Sequence, residues 1–210
     1  LLAMFLSPLT AQREIRARSE TLSLLEQARE ALMGYAVIHR HLPCADTDMP
    51  PDGIENRDEV AGSCSKPEGV LPWNTLGIEP SDAWNHYFRY RVDATFANSV
   101  TLFTLADAIG ATGISISGEN EAALVSTNSR PAAVVISYGL NGYGAINSVS
   151  PYKSLPAPTG ADELENADGD VNFVSHVPTA KGSSNEFDDM LIWISPKVLI
   201  NRMIMAQRLP

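Results

Sequence analysis

The sequence predicts an α+β fold: a long N-terminal helix packed on a small antiparallel β-sheet, with long loops and a short C-terminal helix. Three observations predict it. Leu22, Leu25, Ala28, Leu32, Tyr35 and Ala36 recur at steps of three and four, which is the period of one helix face. Strand-like runs at Tyr87–Val92, Ala132–Ser137 and Met190–Ile194 lie far apart without regular intervening helices, unlike a βαβ chain. A Ser195–Pro196 start precedes Val198, Leu199, Met203 and Ile204, giving a capped helix with one apolar face.

In chain order, the first helix is expected over Thr10–His39, roughly 45 Å long. Its opposite face carries Arg13, Glu14, Arg16, Arg18, Glu20, Glu26, Arg29 and Glu30. The stretch Gln12–Ser19 is almost wholly polar, so it has little of its own domain to pack on. Pro43 ends the helix near His41, because a residue before proline avoids the helical region. His39 and His41 at that end are read as partners of the last helix carbonyls. The next stretch, to Pro72, is rich in turn residues and is expected to be ordered but irregular. Leu71–Ile78 reads as a packed loop or helical turn, with Trp73 and Leu76 inward. Ser81 or Asp82 is placed to cap a turn holding Ala83 and Trp84.

Tyr87–Val92 alternates apolar and basic residues, the pattern of a half-buried strand. Thr95–Ile116 suits either a strand pair or a short helix through Leu102–Ile109, closed by Gly110 and Gly113. Ala132–Ser137 is a fully buried type of strand. The following YGLNGYG, Tyr138–Gly144, is a glycine-rich turn suited to positive φ or close backbone approach. It has neither GxGxxG spacing nor a Walker lysine, which excludes a nucleotide loop. Ser150–Asp170 is a second irregular stretch, and Val171–Val174 a short edge strand. Residues 1–41 are thus read as the helix and residues 42–210 as a head that packs with it as one domain.

The chain has 210 residues, 15 basic and 25 acidic, for a formal net charge of -10. Arg13, Arg16, Arg18, Arg29 and Arg40 all lie in or at the end of the first helix, so the remainder is more acidic still. Non-specific duplex binding needs a basic patch and is excluded on this ground. An acidic surface offers sites for hard cations. The two cysteines, Cys44 and Cys64, bracket a segment rich in Pro, Gly and Asp. A Cys44–Cys64 disulfide is expected there, since closing such a loop stabilises by roughly 3 kcal/mol. Two unconnected thiols are the alternative.

Three acidic sets are the only chemical constellation in the sequence. Asp46, Asp48, Asp52, Glu55, Asp58 and Glu59 lie between the cysteines, and Asp162, Glu163, Glu165, Asp168 and Asp170 in the second long loop. Glu186, Asp188 and Asp189 precede the last strand. Asn166, Asp168 and Asp170 alternate as calcium ligands do, without the regular EF-hand loop. The metal candidates are therefore Asp168, Asp170, Asp188 and Asp189, with Ca2+ the expected ion; solvated acidic loops are the other reading. No GxSxG or HExxH motif occurs. Ser137, at a strand end, is read as a partner of the turn backbone.

Several pieces, in this order, carry a resemblance: ALMGYAVIHRHLPCADTD, GVLPWNTLGIEPSDAWNHYFRYRV, VVISYGLNGYG and FDDMLIWIS. The chain resembles type IV pilin-like proteins, of the minor pilin or type II secretion pseudopilin kind. DAWNHYFRY resembles the D-x-W-G-x-x-Y-x-Y segment of major pseudopilins, with Asn85 in place of the glycine. SYGLNG resembles their S-Y-G-x-D-G element, with Asn141 in place of aspartate. The resemblance implies a structural subunit, not an enzyme, that joins other pilin or pseudopilin subunits through its N-terminal helix. It implies that Leu1–Leu6 continues an upstream segment set in the bacterial inner membrane, cut by a prepilin peptidase and methylated. The head would face the periplasm before assembly into a pilus or pseudopilus that serves adhesion or protein secretion. It also implies calcium in the loop before the last strand, where Asp188 and Asp189 fall. The long loop between Asn141 and Asp188 and the Cys44–Cys64 segment suit a minor or specialised subunit. The competing expectations are a secreted calcium-dependent hydrolase and a periplasmic ligand-binding module.

Overall fold

A computed structural model of the chain describes residues 3–109 and 113–209, with side chains from residue 9 onward. Leu1, Leu2, the apolar side chains of the stub as far as Leu6, and Gly110 lie outside the described residues. Helix α1 (Ala3–His39) is unbroken and measures about 55 Å. It stops where Arg40 takes a left-handed conformation, φ 68°, three residues ahead of Pro43. Leu25, Ala28, Leu32, Met33 and Ala36 form its buried stripe.

The stripe begins later than its period suggests. Leu22 is 48% exposed, and Thr21 is buried in its place, its hydroxyl accepting the Ala83 N–H at 3.2 Å. Tyr35 is half-buried, since its hydroxyl reaches out to donate to Glu55 Oε1 at 2.7 Å. Residues 9–16 are all exposed. That run is too polar to repay burial, so about 12 Å of described helix stands clear of the head.

Among the described residues the strands are β1 (Glu68–Val70), β2 (Arg89–Val92), β3 (Ser115–Ser117), β4 (Ala133–Ser137), β5 (Asn172–Val174) and β6 (Met190–Ile194). The main sheet is antiparallel, in the order β1-β2-β4-β6. β4 pairs β6 from Ala133↔Ile194 to Ser137↔Met190. All five β4 residues are buried because the sheet is covered on both faces. Ala133 and Val135 join the core under α1, while Val134 and Ile136 join a second core with Ile114, Ile116 and Phe173. Helix α5 (Pro196–Met205) starts with Pro196 after Ser195 and adds Leu199, Ile200 and Met203 to the first core.

Four features depart from expectation. The short edge strand expected at Val171–Val174 is present as β5 but lies outside the main sheet, pairing in parallel with β3, Ile116 opposite Phe173, as a separate ribbon over the second core. β2 is shorter than Tyr87–Val92, because the Tyr87 N–H turns away to the Ile146 carbonyl. Among the described residues the ambiguous stretch holds no strand pair within itself, and the short helix expected through Leu102–Ile109 is present only in part. It contains a helical turn at Ala94–Ala97, capped by Asp93, and a 3-10 turn at Leu105–Ala108. The second long loop is not wholly irregular, since Ala161–Ala167 is helical. We label the helical turn Trp73–Leu76 α2, Ala94–Ala97 α3 and Ala161–Ala167 α4.

Cys44 and Cys64 are joined in a disulfide. The loop it closes is held under the end of α1 by Arg57, which reaches Glu55 Oε2 at 2.8 Å and the Leu42 carbonyl at 3.2 Å. Among the described residues no helix is long and apolar enough to cross a membrane.

Candidate metal centre

Three segments meet at the acidic end of β6. Asp188 and Asp189 lie just before the strand, α4 supplies Glu163 from its first turn, and the Tyr138–Gly144 turn supplies Asn141. Carboxylate oxygens of Glu163, Asp188 and Asp189 all fall within 4.8 Å of one another. Protein donors satisfy both oxygens of Glu163 but only one oxygen of each aspartate. Glu163 accepts from Asn141 Nδ2 at 2.8 and 3.1 Å and from the Asp188 N–H at 2.9 Å. Asp188 Oδ2 accepts the Asn141 N–H at 3.0 Å. Asp189 Oδ2 accepts from Asn166 Nδ2 at 2.9 Å.

The second oxygens of the two aspartates, Asp188 Oδ1 and Asp189 Oδ1, are buried with no hydrogen-bond partner. A buried unpaired carboxylate oxygen costs free energy that a cation would recover. The electrostatics point the same way. Burial, then the charges of Glu163 and Asp188, push the Asp189 carboxyl well above its ordinary value. Burial, with the Glu163 charge adding, lifts Asp188 to about 6 against the bond from Asn141. Burial also raises Glu163. Like charges this close oppose ionisation of the set unless a cation joins it.

The turn is built around Asp188. Gly139 has φ +58° and its backbone lies against that side chain, so that a Cβ there would stand 2.0 Å from Asp188 Oδ1. Only glycine allows this approach. Asn166 is buried and bridges the site to β5, taking the Val174 N–H and donating to its carbonyl. Oxygen-only donors in a buried, net-negative cleft suit a hard divalent cation such as Ca2+, not zinc. Glu163, Asp188 and Asp189 are the residues that would hold it.

The alternation Asn166, Asp168, Asp170 does not converge on one centre. Asn166 points inward to Asp189, whereas Asp168 and Asp170 are exposed and bond the backbone of Asp170 and Asn172. Asp188 and Asp189 are brought together, and Glu163 is the ligand candidate absent from the expected four. Its signal was the acidic first turn of a short run of good helix formers, ADELENA. Asp46, Asp48 and Asp52 also cluster within 4.8 Å. Their oxygens, however, serve their own loop: Asp46 accepts from Asp48 N and Gly53 N, and Asp52 accepts from Ile54 N.

Beside the site, Ser137, Asp82 and His86 assemble in a way that resembles a hydrolytic triad in composition only. The Ser137 hydroxyl donates to Asp82 Oδ2 at 2.7 Å and accepts the Gly139 N–H at 3.3 Å. Asp82 Oδ1 takes the N–H groups of Trp84 and His86. His86 Nδ1 lies 3.1 Å from the Gly139 carbonyl. The hydroxyl therefore faces a carboxylate and not an imidazole, and Ser137 is 0% exposed. This set fastens the glycine turn to the Asp82 turn, the backbone role read for Ser137 from sequence. Compared with protein-family models, with curated proteins and with solved structures, the chain matches none.

Proposed function

We propose that this chain is a non-enzymatic, pilin-like subunit, a minor pilin or pseudopilin, whose head is fastened by a divalent cation. The observation that carries this reading is the division of α1. Its second half is the backbone of the first core, while residues 9–16 are exposed and contribute nothing to either described core. A helix that extends past its own domain is stabilised by packing on something else. Neighbouring helices in a fibre, and a membrane before assembly, provide that packing. The head contributes loops: the disulfide loop at one end of the sheet and the α4 insertion with its cation cleft at the other.

The hydrolase reading needs a nucleophile within reach of a base and of solvent. Ser137 is bonded to a carboxylate and buried, which favours the subunit reading over the hydrolase.

The test is the mature N-terminus of the protein purified from its own cells, read by intact and peptide mass spectrometry. An N-methylated terminal residue, followed by a retained apolar segment leading into α1, is the expected result. A terminus produced after an A-x-A site, with no apolar segment retained, would overturn the assignment.

A further inference from the structure

The two edges of the main sheet are not treated alike. At β1 the outer edge is covered: Asp46 exchanges backbone hydrogen bonds with Val70, 2.9 and 2.8 Å, so the disulfide loop closes that side. At β6 no described residue pairs with the outer edge. Ile194 turns its carbonyl inward to the Ala132 N–H at 2.9 Å. By the two-residue period Ile192 and Met190 also face β4, which leaves the N–H and C=O groups of Leu191 and Trp193 on the open side. This edge has none of the usual protection. It is five residues long, apolar, and free of proline and charge.

Along it runs a groove of about 560 Å³, lined by the β6 backbone, by Met33 and Arg29 of α1, and by Val198 of α5. Its charges are paired, but one guanidinium donor is not used. Glu30 is paired with Arg202 at 2.7 Å. Glu26 is paired with one terminal nitrogen of Arg29. The Nε–H of Arg29 is buried and has no acceptor. An unused guanidinium donor beside an unpaired strand edge is complementary to a strand that brings its own carboxylate.

We propose that the β6 edge is a docking site for an extended segment of a partner protein, apolar at alternate positions and carrying an acidic side chain that meets Arg29. The segment pairs with the backbone of Leu191 and Trp193, extending the sheet to five strands. Its apolar side chains fill the groove against Met33 and Val198. This inference stands on the sheet edge alone and holds whether or not the chain is a fibre subunit.

The test uses the whole 15N-labelled protein and capped peptides of about six residues that alternate threonine and valine. One central valine, on the face that meets the groove, is replaced by glutamate, glutamine or lysine. With the glutamate peptide, amide exchange at Leu191 and Trp193 is expected to slow by about tenfold or more, while that at Ile192 changes little. The glutamate peptide should bind about tenfold more tightly than the lysine one. Arg29→Gln should erase that preference and leave the exchange protection in place. Exchange at Leu191 and Trp193 that no peptide alters would overturn the proposal. So would binding with no preference for glutamate, or a preference that survives Arg29→Gln.

Discussion

Asp189 is 3% exposed, and one of its oxygens has no partner. That makes it a residue whose replacement should act in opposite directions with and without metal. Asp189→Asn keeps the shape and removes a carboxyl that burial and the charges of Glu163 and Asp188 make costly to ionise. In calcium-free protein near neutral pH the variant should melt about 2–4 °C higher, the shift of roughly 1 kcal/mol in a chain of this size. The same variant should lose the rise in melting temperature that calcium gives the parent protein by binding linkage. Scanning calorimetry with and without calcium reads both effects.

The pH dependence follows from the same group. Asp188 titrates near 3.8 ordinarily and at about 6 in the fold, so between those values the folded state holds more protons than the unfolded one. Stability from this group is therefore present at low pH and is lost as pH rises through about 6. Calcium-free protein should lose melting temperature from pH 5 to 7.5, by more than Asp188→Asn does over the same range. The calcium-induced rise should be larger at pH 7.5 than at pH 5, because the cation competes with protons for the same oxygens. Next to it, Gly139→Ala must place a methyl against Asp188 Oδ1 at a positive φ. A loss of about 2 kcal/mol or more in urea unfolding is expected, from backbone strain together with overpacking.

Helix α1 divides into two energetic halves, and truncations along it should show the division. Leu32 is fully buried in the first core, so Leu32→Ala should cost about 2–5 kcal/mol in urea unfolding. Ile15 is 68% exposed, so Ile15→Ala should change the stability of the isolated chain by less than about 0.5 kcal/mol. Equal costs at the two positions would mean that residues 9–16 pack on the head.

The legible elements were those with a dense local signal. The stripe Leu25–Ala36, the buried run of β4, MLIWI and the Pro196 helix start each carry their own local signal, and the structure places them where they were read, although Ser195 makes no side-chain cap bond. Elements sustained by partners remote in sequence were not legible. β3 is three residues long and exists because Ile116 meets Phe173 over the second core, fifty-seven positions apart by the register Ser115↔Asn172; β5 was read as a short strand, but its partner was not. Helix α4 lacks an apolar stripe, and the residues it buries are polar: Glu163, held by Asn141 and the Asp188 N–H, and Asn166. The same reason governs the site. Asp188 and Asp189 were legible because they precede a strand, whereas Glu163 joins them only once α4 has formed.

As a whole molecule the chain is a head built on both faces of one sheet, carried on a helix that continues beyond it. The chain carries a net charge of -10, and Glu163, Asp188 and Asp189 gather three of its acidic side chains at the start of β6. The disulfide loop covers one sheet edge and the glycine turn with α4 organises the opposite end, so the loops are pinned although they hold little regular structure. The central claim is that the exposed start of α1 is an assembly surface and the head is a passenger on it. Cysteine crosslinking in living cells tests it most directly, since Cys44 and Cys64 are already bonded to each other. Single cysteines at Gln12 and Arg16 of the full-length protein, each paired with cysteines along the helices of co-expressed pilin-like subunits, should form intermolecular disulfides at defined register, while a cysteine at the exposed head residue Val177 should not. Helix positions that stay uncrosslinked in cells that assemble fibres, or that crosslink no more than Val177, would contradict the account.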